Sequence, residues 1–121
     1  MRNHEIDYKI FGEELQCVEV ELDPQESVIA EPGGFMMMTE GIAMETMFGD
    51  GSNNGGGIMG KLFSAGKRML TGESLFMTVF TNTSSEKKQV SFAAPYAGKI
   101  IPLNLAEYGG RIICQKDSFL C

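Results

Sequence analysis

The residues best equipped for chemistry are Lys61, Lys67 and Arg68, three cations that follow a loop in which six of the twelve residues from Gly49 to Gly60 are glycine. Positive charge behind a glycine-rich turn is the composition of a phosphate cradle, so two nucleotide motifs have to be tested here. Gly55-Gly56-Gly57-Ile58-Met59-Gly60-Lys61-Leu62 satisfies the spacing GxxxxGK, but Leu62 stands where a hydroxyl must reach Mg²⁺. Gly55, Gly57 and Gly60 also spell GxGxxG. No alternating strands and helices surround them, and no acidic residue lies about 20 positions on to hold a ribose. Triple glycine produces such matches by composition, and no nucleotide is expected.

The remaining candidates are thinner. His4 is the one histidine and sits at a fraying start, whereas general-base work needs a rigid, buried imidazole. Met36, Met37, Met38, Met44 and Met47 could offer soft metal ligands, but flexible apolar filling of a core or interface is the commoner use of methionine. The carboxylates mostly alternate with apolar residues, as on a solvated strand face; a hydrolytic carboxylate pair is the enzymatic alternative. No catalytic, cofactor-binding or metal-ligating residue is assigned, and the chain is read as a non-enzyme without a cofactor.

What the three cations sit on is clearer. Residues 49–57 read as a flexible linker. From about 58 to 70 the apolar residues fall at 58/62/65/69 and 59/63/66/70, one face of a short amphipathic helix that includes Leu62 and Phe63, with Lys61, Lys67 and Arg68 on the other face. Gly72 is a C-terminal stop, and Lys67 and Arg68 lie near the negative end of the helix dipole. A helix of roughly 20 Å is too short to persist in water alone, so it must dock. Its destinations are an open end of the sheet, a neighbouring subunit through Leu62 and Phe63, or an anionic lipid surface through the basic face. RNA is a weaker partner for the same cations, because the rest of the chain would repel phosphate.

Everything else reads as strands. Period-two alternation runs through Glu5–Ile10 and Leu15–Leu22, and Asp23-Pro24-Gln25-Glu26 supplies a turn. Ser27–Ala30, Phe35–Met38 and Ile42–Phe48 follow, then Ser74–Thr81 and Lys88–Ala94, which are expected to pair as a hairpin around a polar turn. Gly98–Leu103 and Arg111–Gln115 continue the pattern, and Ser118–Cys121 begins another strand. Eight to ten short strands with turns every 8 to 12 residues predict an antiparallel β-sandwich or rolled sheet, one domain over 1–121. An uncovered last strand invites a second copy, which places Phe119 and Leu120 beside Leu62 and Phe63 as candidate interface residues.

The 121 residues carry a net charge of −6, and that charge is unevenly spread. Residues 1–56 hold 12 acidic and 2 basic side chains, residues 57–121 hold 4 acidic and 8 basic. Halves of opposite sign can face each other within a chain or between copies. No secretory signal or long apolar run is present, so the cytoplasm is the expected location. Cys17, Cys114 and Cys121 are expected to be reduced, two of them as core atoms.

Four blocks, VELDPQESVIAEPGGFMMM (Val20–Met38), GKRMLTGESLF (Gly66–Phe76), VSFAAPYAGKIIPLNL (Val90–Leu105) and ICQKDSFLC (Ile113–Cys121), resemble the "altered inheritance of mitochondria" family across nearly the whole chain. The resemblance implies a β-sandwich likened to the tryptophan RNA-binding attenuation protein, self-association as a trimer, and no established enzyme activity. It also implies that the chain corresponds to about the N-terminal half of a longer family protein. A mitochondrial relative is associated with the integrity of inner-membrane organising complexes, which implies a scaffold for membrane-associated assemblies. The family supplies no catalytic residues to carry over.

Overall fold

The computed structural model describes residues 5–48, 76–115 and 117–121. The expected loop at 49–57 and helix at 58–70 lie outside them. Seven strands are present among the described residues: β1 (Asp7–Phe11), β2 (Cys17–Leu22), β3 (Ser27–Ala30), β4 (Phe35–Met38), β5 (Ile42–Phe48), β6 (Phe76–Asn82) and β7 (Lys88–Ala93). They form two antiparallel sheets, one in the order β1-β2-β7-β4 and one in the order β3-β6-β5. The sheets do not close into a barrel; they stack as a sandwich.

Alternation decides which side chains meet between the layers. On β2, Val18, Val20 and Leu22 are buried while Cys17, Glu19 and Glu21 between them are only half-buried. Val90 and Phe92 of β7, Val28 and Ala30 of β3, Ile42 of β5 and Phe80 of β6 complete the core. Phe80 sits at its centre, stacked on Phe35 at 5.3 Å and edge-on to Phe92 at 5.2 Å. Offset and edge-to-face rings of this kind add about 0.5–1.5 kcal/mol each to what their buried area contributes.

The expected hairpin of the sixth and seventh strands does not form. β6 pairs with β3 and β5, and β7 pairs with β2 and β4, so the turn between them crosses from one layer to the other. Asn82 explains the crossing. It is 0% exposed; its Nδ2 donates to the carbonyls of Leu22 (2.9 Å) and Glu86 (2.7 Å), and its Oδ1 accepts from the amide and hydroxyl of Ser84. A buried amide with all its partners supplied ties the last residue of β2 to the β6–β7 turn, across the two sheets. The connections from β2 to β3 and from β4 to β5 also switch layers, which stacks the strands in pairs and leaves β1 as the extra strand of the wider sheet.

Two expected strands are absent among the described residues. Gly98–Leu103 has no ladder beyond an isolated parallel bridge from Gly98 to Leu15, and Arg111–Gln115 has none. Pro102 removes a donor from the first segment. Between them Asn104 caps a single turn of 3₁₀ helix, Leu105–Tyr108, which ends on left-handed Gly109. Caps at both ends win over the apolar alternation there. Ser118–Cys121 is not a strand either, and Leu15 lies ahead of β2 and is exposed. Of the cysteines, Cys17 is half-buried and Cys114 and Cys121 are exposed, so none is a core atom.

Candidate interaction surface

The sandwich is tight at its middle and open along one side. Among the described residues β4 lies at an edge, paired only with β7, and β5 lies at the corresponding edge of the other sheet, paired only with β6. A bulge at Met36 shifts the β4 register, so that Phe35 stands opposite Phe92, Met37 opposite Ser91 and Met38 opposite Val90. Phe35 and Met38 therefore share the inner face with core residues, as does Met44, which stands opposite Phe80. All three nevertheless remain exposed: 38% for Phe35, 37% for Met38 and 50% for Met44. They form an apolar lip that opens directly onto the core. Glu40, in the β4–β5 turn, and Glu45, on the face of β5 opposite to Met44, are both exposed.

Edges usually carry protection against pairing with other chains. β1, at the far edge of the wider sheet, has it in Asp7 and Lys9. β4 reads Phe-Met-Met-Met and has no charge at all.

A second apolar feature is the segment after β7. It is anchored at two points. Near its start, the amide of Gly98 donates to the Glu14 carbonyl (2.8 Å), the amide of Ile100 donates to Gln16 Oε1 (2.6 Å), and Ile100 packs against the core. Near its end, the Glu31 amide donates to the Leu120 carbonyl (2.9 Å) and Leu120 packs against the core, its methyl so close to Gly34 that a Cβ there would lie 2.9 Å away. Between the anchors every described residue is exposed. Ile101 (73%) and Ile113 (88%) are the extremes, and Leu103, Leu105, Tyr108 and Ile112 are exposed as well. Among the described residues of this arm, Lys99 and Arg111 are its cations and Glu107 and Asp117 its acids.

The ion pairs elsewhere lie at the surface. Lys87 Nζ lies 2.9 Å from Glu21 and 3.4 Å from Asp23, and these two carboxylates hold its ammonium above the ordinary lysine pKa. Here the acidic first half and the basic second half of the chain meet within one molecule. Cys121, though exposed as a residue, has a thiol crowded enough that desolvation pushes its pKa up to about 11. It is a thiol, not a thiolate nucleophile, at neutral pH. Among the described residues no three His, Cys, Asp or Glu side chains come together to hold a metal ion. None of the described helices is long and apolar enough to cross a membrane.

Lys61, Lys67, Arg68, Leu62 and Phe63 lie outside the described residues. Phe119 is 40% exposed beside the arm's second anchor, and Leu120 is that anchor, turned partly into its own core. The methionine run of β4 was legible as apolar filler, but its place at an open lip was not. The missed signal is the run itself, four large apolar residues with no polar residue between them, where a strand with one solvated face should alternate.

Among solved structures, the crystal structure of a Streptococcus pyogenes protein is similar, with a TM-score of 0.53 and 23% identity over 80% of this chain. At that identity the likeness concerns the fold. The present chain spans 41% of the length of that protein. No curated protein matches. Residues 8–121, which include the core, the lip and the arm, match the family described as mitochondrial biogenesis AIM24. The chain belongs to that family.

Proposed function

We propose that this domain is a non-catalytic assembly module that associates with further copies of itself, a trimer being the closed ring favoured, and serves as a scaffold for membrane-associated complexes. The supporting observation is the amount of well-placed apolar surface that the domain leaves uncovered. A folded chain scatters single hydrophobic residues over its surface without consequence, but contiguous apolar patches mark sites of association. Here the lip is continuous with the core, and the arm carries exposed Ile101, Leu103, Leu105, Tyr108, Ile112 and Ile113 along one segment. A family described by mitochondrial biogenesis is consistent with an organising role. Binding of RNA or a lipid surface through Lys61, Lys67 and Arg68 is the alternative, and no observation on the described residues favours it.

Multi-angle light scattering at tens of micromolar tests the reading. A mass that is a multiple of 13.2 kDa and falls on dilution is the expected result. A single 13.2 kDa species at every concentration overturns it.

A further inference from the structure

We propose that residues 58–70 form a third layer over the outer face of the β3-β6-β5 sheet, with their apolar stripe on Ile29, Met77, Val79 and Met47 and with Lys61, Lys67 and Arg68 turned outward. The inference is independent of whether copies associate.

The two outer faces of the sandwich differ in chemistry. On β6, Phe80 stands between Val28 and Met44 and points into the core, so Val79, between Ile29 and Glu45, and Met77, opposite Met47, point the other way. Val79 is 7% exposed although it is no member of the core cluster, and Ile29, Met77 and Met47 are half-buried. Among the described strand residues of this face only Glu45, on the edge strand, is charged. The wider sheet instead presents Asp7, Lys9, Glu19 and Glu21 on its outer face, as a wet face should. An antiparallel strand with water on one side alternates apolar with polar residues; β6 places Val79 next to Phe80 and Met77 two positions before Val79, the pattern of a strand covered on both sides.

Chain connectivity names the cover. Residues 49–75 leave the sheet after Phe48 and return at Phe76, and these two residues stand opposite each other, so both ends of the connection lie at one end of this same sheet. Nine residues, 49–57, precede the apolar stripe, and five, 71–75, follow it. At about 3.3 Å per residue the first linker reaches roughly 30 Å and the second roughly 17 Å. β5 and β6 have seven residues each, which makes the sheet about 23 Å long. The long linker can therefore cross to the far end and the short one cannot, which sets the direction: the stripe starts near Thr81 and runs back to finish near Met77. A helix over 58–70 rises about 20 Å, close to the length of the strands beneath it. Ala65 and Gly66 at the middle of the stripe are small enough to let it approach the sheet closely. With Ile58, Leu62 and Met69 facing the strands, the three cations face away from them.

The test is thiol accessibility in the full chain with Cys17, Cys114 and Cys121 changed to Ser. Met77→Cys should react slowly with a maleimide, and adding Leu62→Glu and Phe63→Glu should speed the reaction at least about tenfold while circular dichroism shows the strands intact. A second chain combines Met77→Cys with Met69→Cys. Mild oxidation should close a disulfide within one molecule, which runs at monomer mass on a non-reducing gel, whereas Thr81→Cys with Met69→Cys should stay open. Equal labelling rates with and without the two glutamates overturn the proposal, and if the glutamates unfold the chain the disulfide pairs decide. Failure of the Met77 pair to close, or a Thr81 pair that closes as readily, overturns it as well. So does a disulfide that joins two molecules, because the cover would then belong to a neighbouring copy.

Discussion

Replacing Asn82 by Asp keeps the shape of the side chain and the acceptor used by Ser84, and reverses the chemistry of one atom. Nδ2 donates to Leu22 O at 2.9 Å and to Glu86 O at 2.7 Å. A carboxylate oxygen in its place would face two carbonyl oxygens at those distances, with no proton between them. Two hydrogen bonds at about 1 kcal/mol each are lost outright, and leaving buried acceptors unpaired against a charge adds about 1–3 kcal/mol more. The expected cost is therefore about 3–5 kcal/mol, a large share of the roughly 5–15 kcal/mol available to a domain of this size. The assay is urea unfolding followed by circular dichroism, with Ser84→Ala as the control. That control removes a hydroxyl whose single proton is shared between Asn82 Oδ1 and Glu86 O and which accepts from the Glu86 amide, in a more solvated place, and should cost about 1 kcal/mol. The charge also gives a pH signature. An acid destabilised by burial has its folded pKa raised, so the penalty is absent below the unfolded carboxyl pKa of about 3.9 and grows as pH rises above it. The difference between Asn82→Asp and wild type should accordingly narrow on acidification. A loss under about 1 kcal/mol at pH 7, or a loss independent of pH, would refute the assignment of Asn82 as the tie between the two sheets.

Other perturbations follow from the same geometry. Phe80→Ala removes the ring that contacts both Phe35 and Phe92 and should cost about 3–5 kcal/mol in the same unfolding assay. Gly12→Ala should cost more than about 2 kcal/mol, because Gly12 has φ +97° and a Cβ there would run into the Leu15 carbonyl in the β1–β2 turn. Lys87→Met should lower the melting temperature slightly at neutral pH and low salt. The difference should fade in 1 M salt and again as pH rises through the raised lysine pKa, where the wild type loses the charge that Glu21 and Asp23 hold. Iodoacetamide at pH 8 should label exposed Cys114 well before Cys121, whose thiol at a pKa of about 11 is ionised in only about one molecule per thousand; equal rates measured by mass spectrometry would contradict that crowding.

The strands that were legible from sequence are those with one wet face. Val18, Val20 and Leu22 alternate with Cys17, Glu19 and Glu21 because water lies on one side of β2 and the other sheet on the other, and that contrast is written into the residues. Partnering was not legible. Lys88–Ala93 follows Phe76–Asn82 across a short polar turn, which locally favours a hairpin, whereas long-range pairing places the two strands in different layers, with Asn82 tying the turn to Leu22. The arm misled for a related reason: alternating aliphatic residues announce burial, but not whether the burying surface belongs to the same molecule. The lip could not be found from sequence, since exposure of Phe35, Met38 and Met44 depends on which strands stack opposite them. The basic residues that drew attention first, Lys61, Lys67 and Arg68, are placed by no described element.

The layer-switching connections also dictate an order of events when the chain is made. β2 lies between β1 and β7, so its second neighbour is not synthesised until Lys88–Ala93, and β3 waits in the same way for Phe76–Asn82. A ribosome therefore has to release the chain as far as Asn82 before the β3-β6-β5 sheet can be finished, and as far as Ala93 before the β1-β2-β7-β4 sheet can. Topologies with such distant partners fold slowly and leave sticky intermediates. During that interval Val18, Val20, Leu22 and the methionine run are available to chaperones or to neighbouring nascent chains, and low temperature or slowed translation during expression should raise the soluble yield.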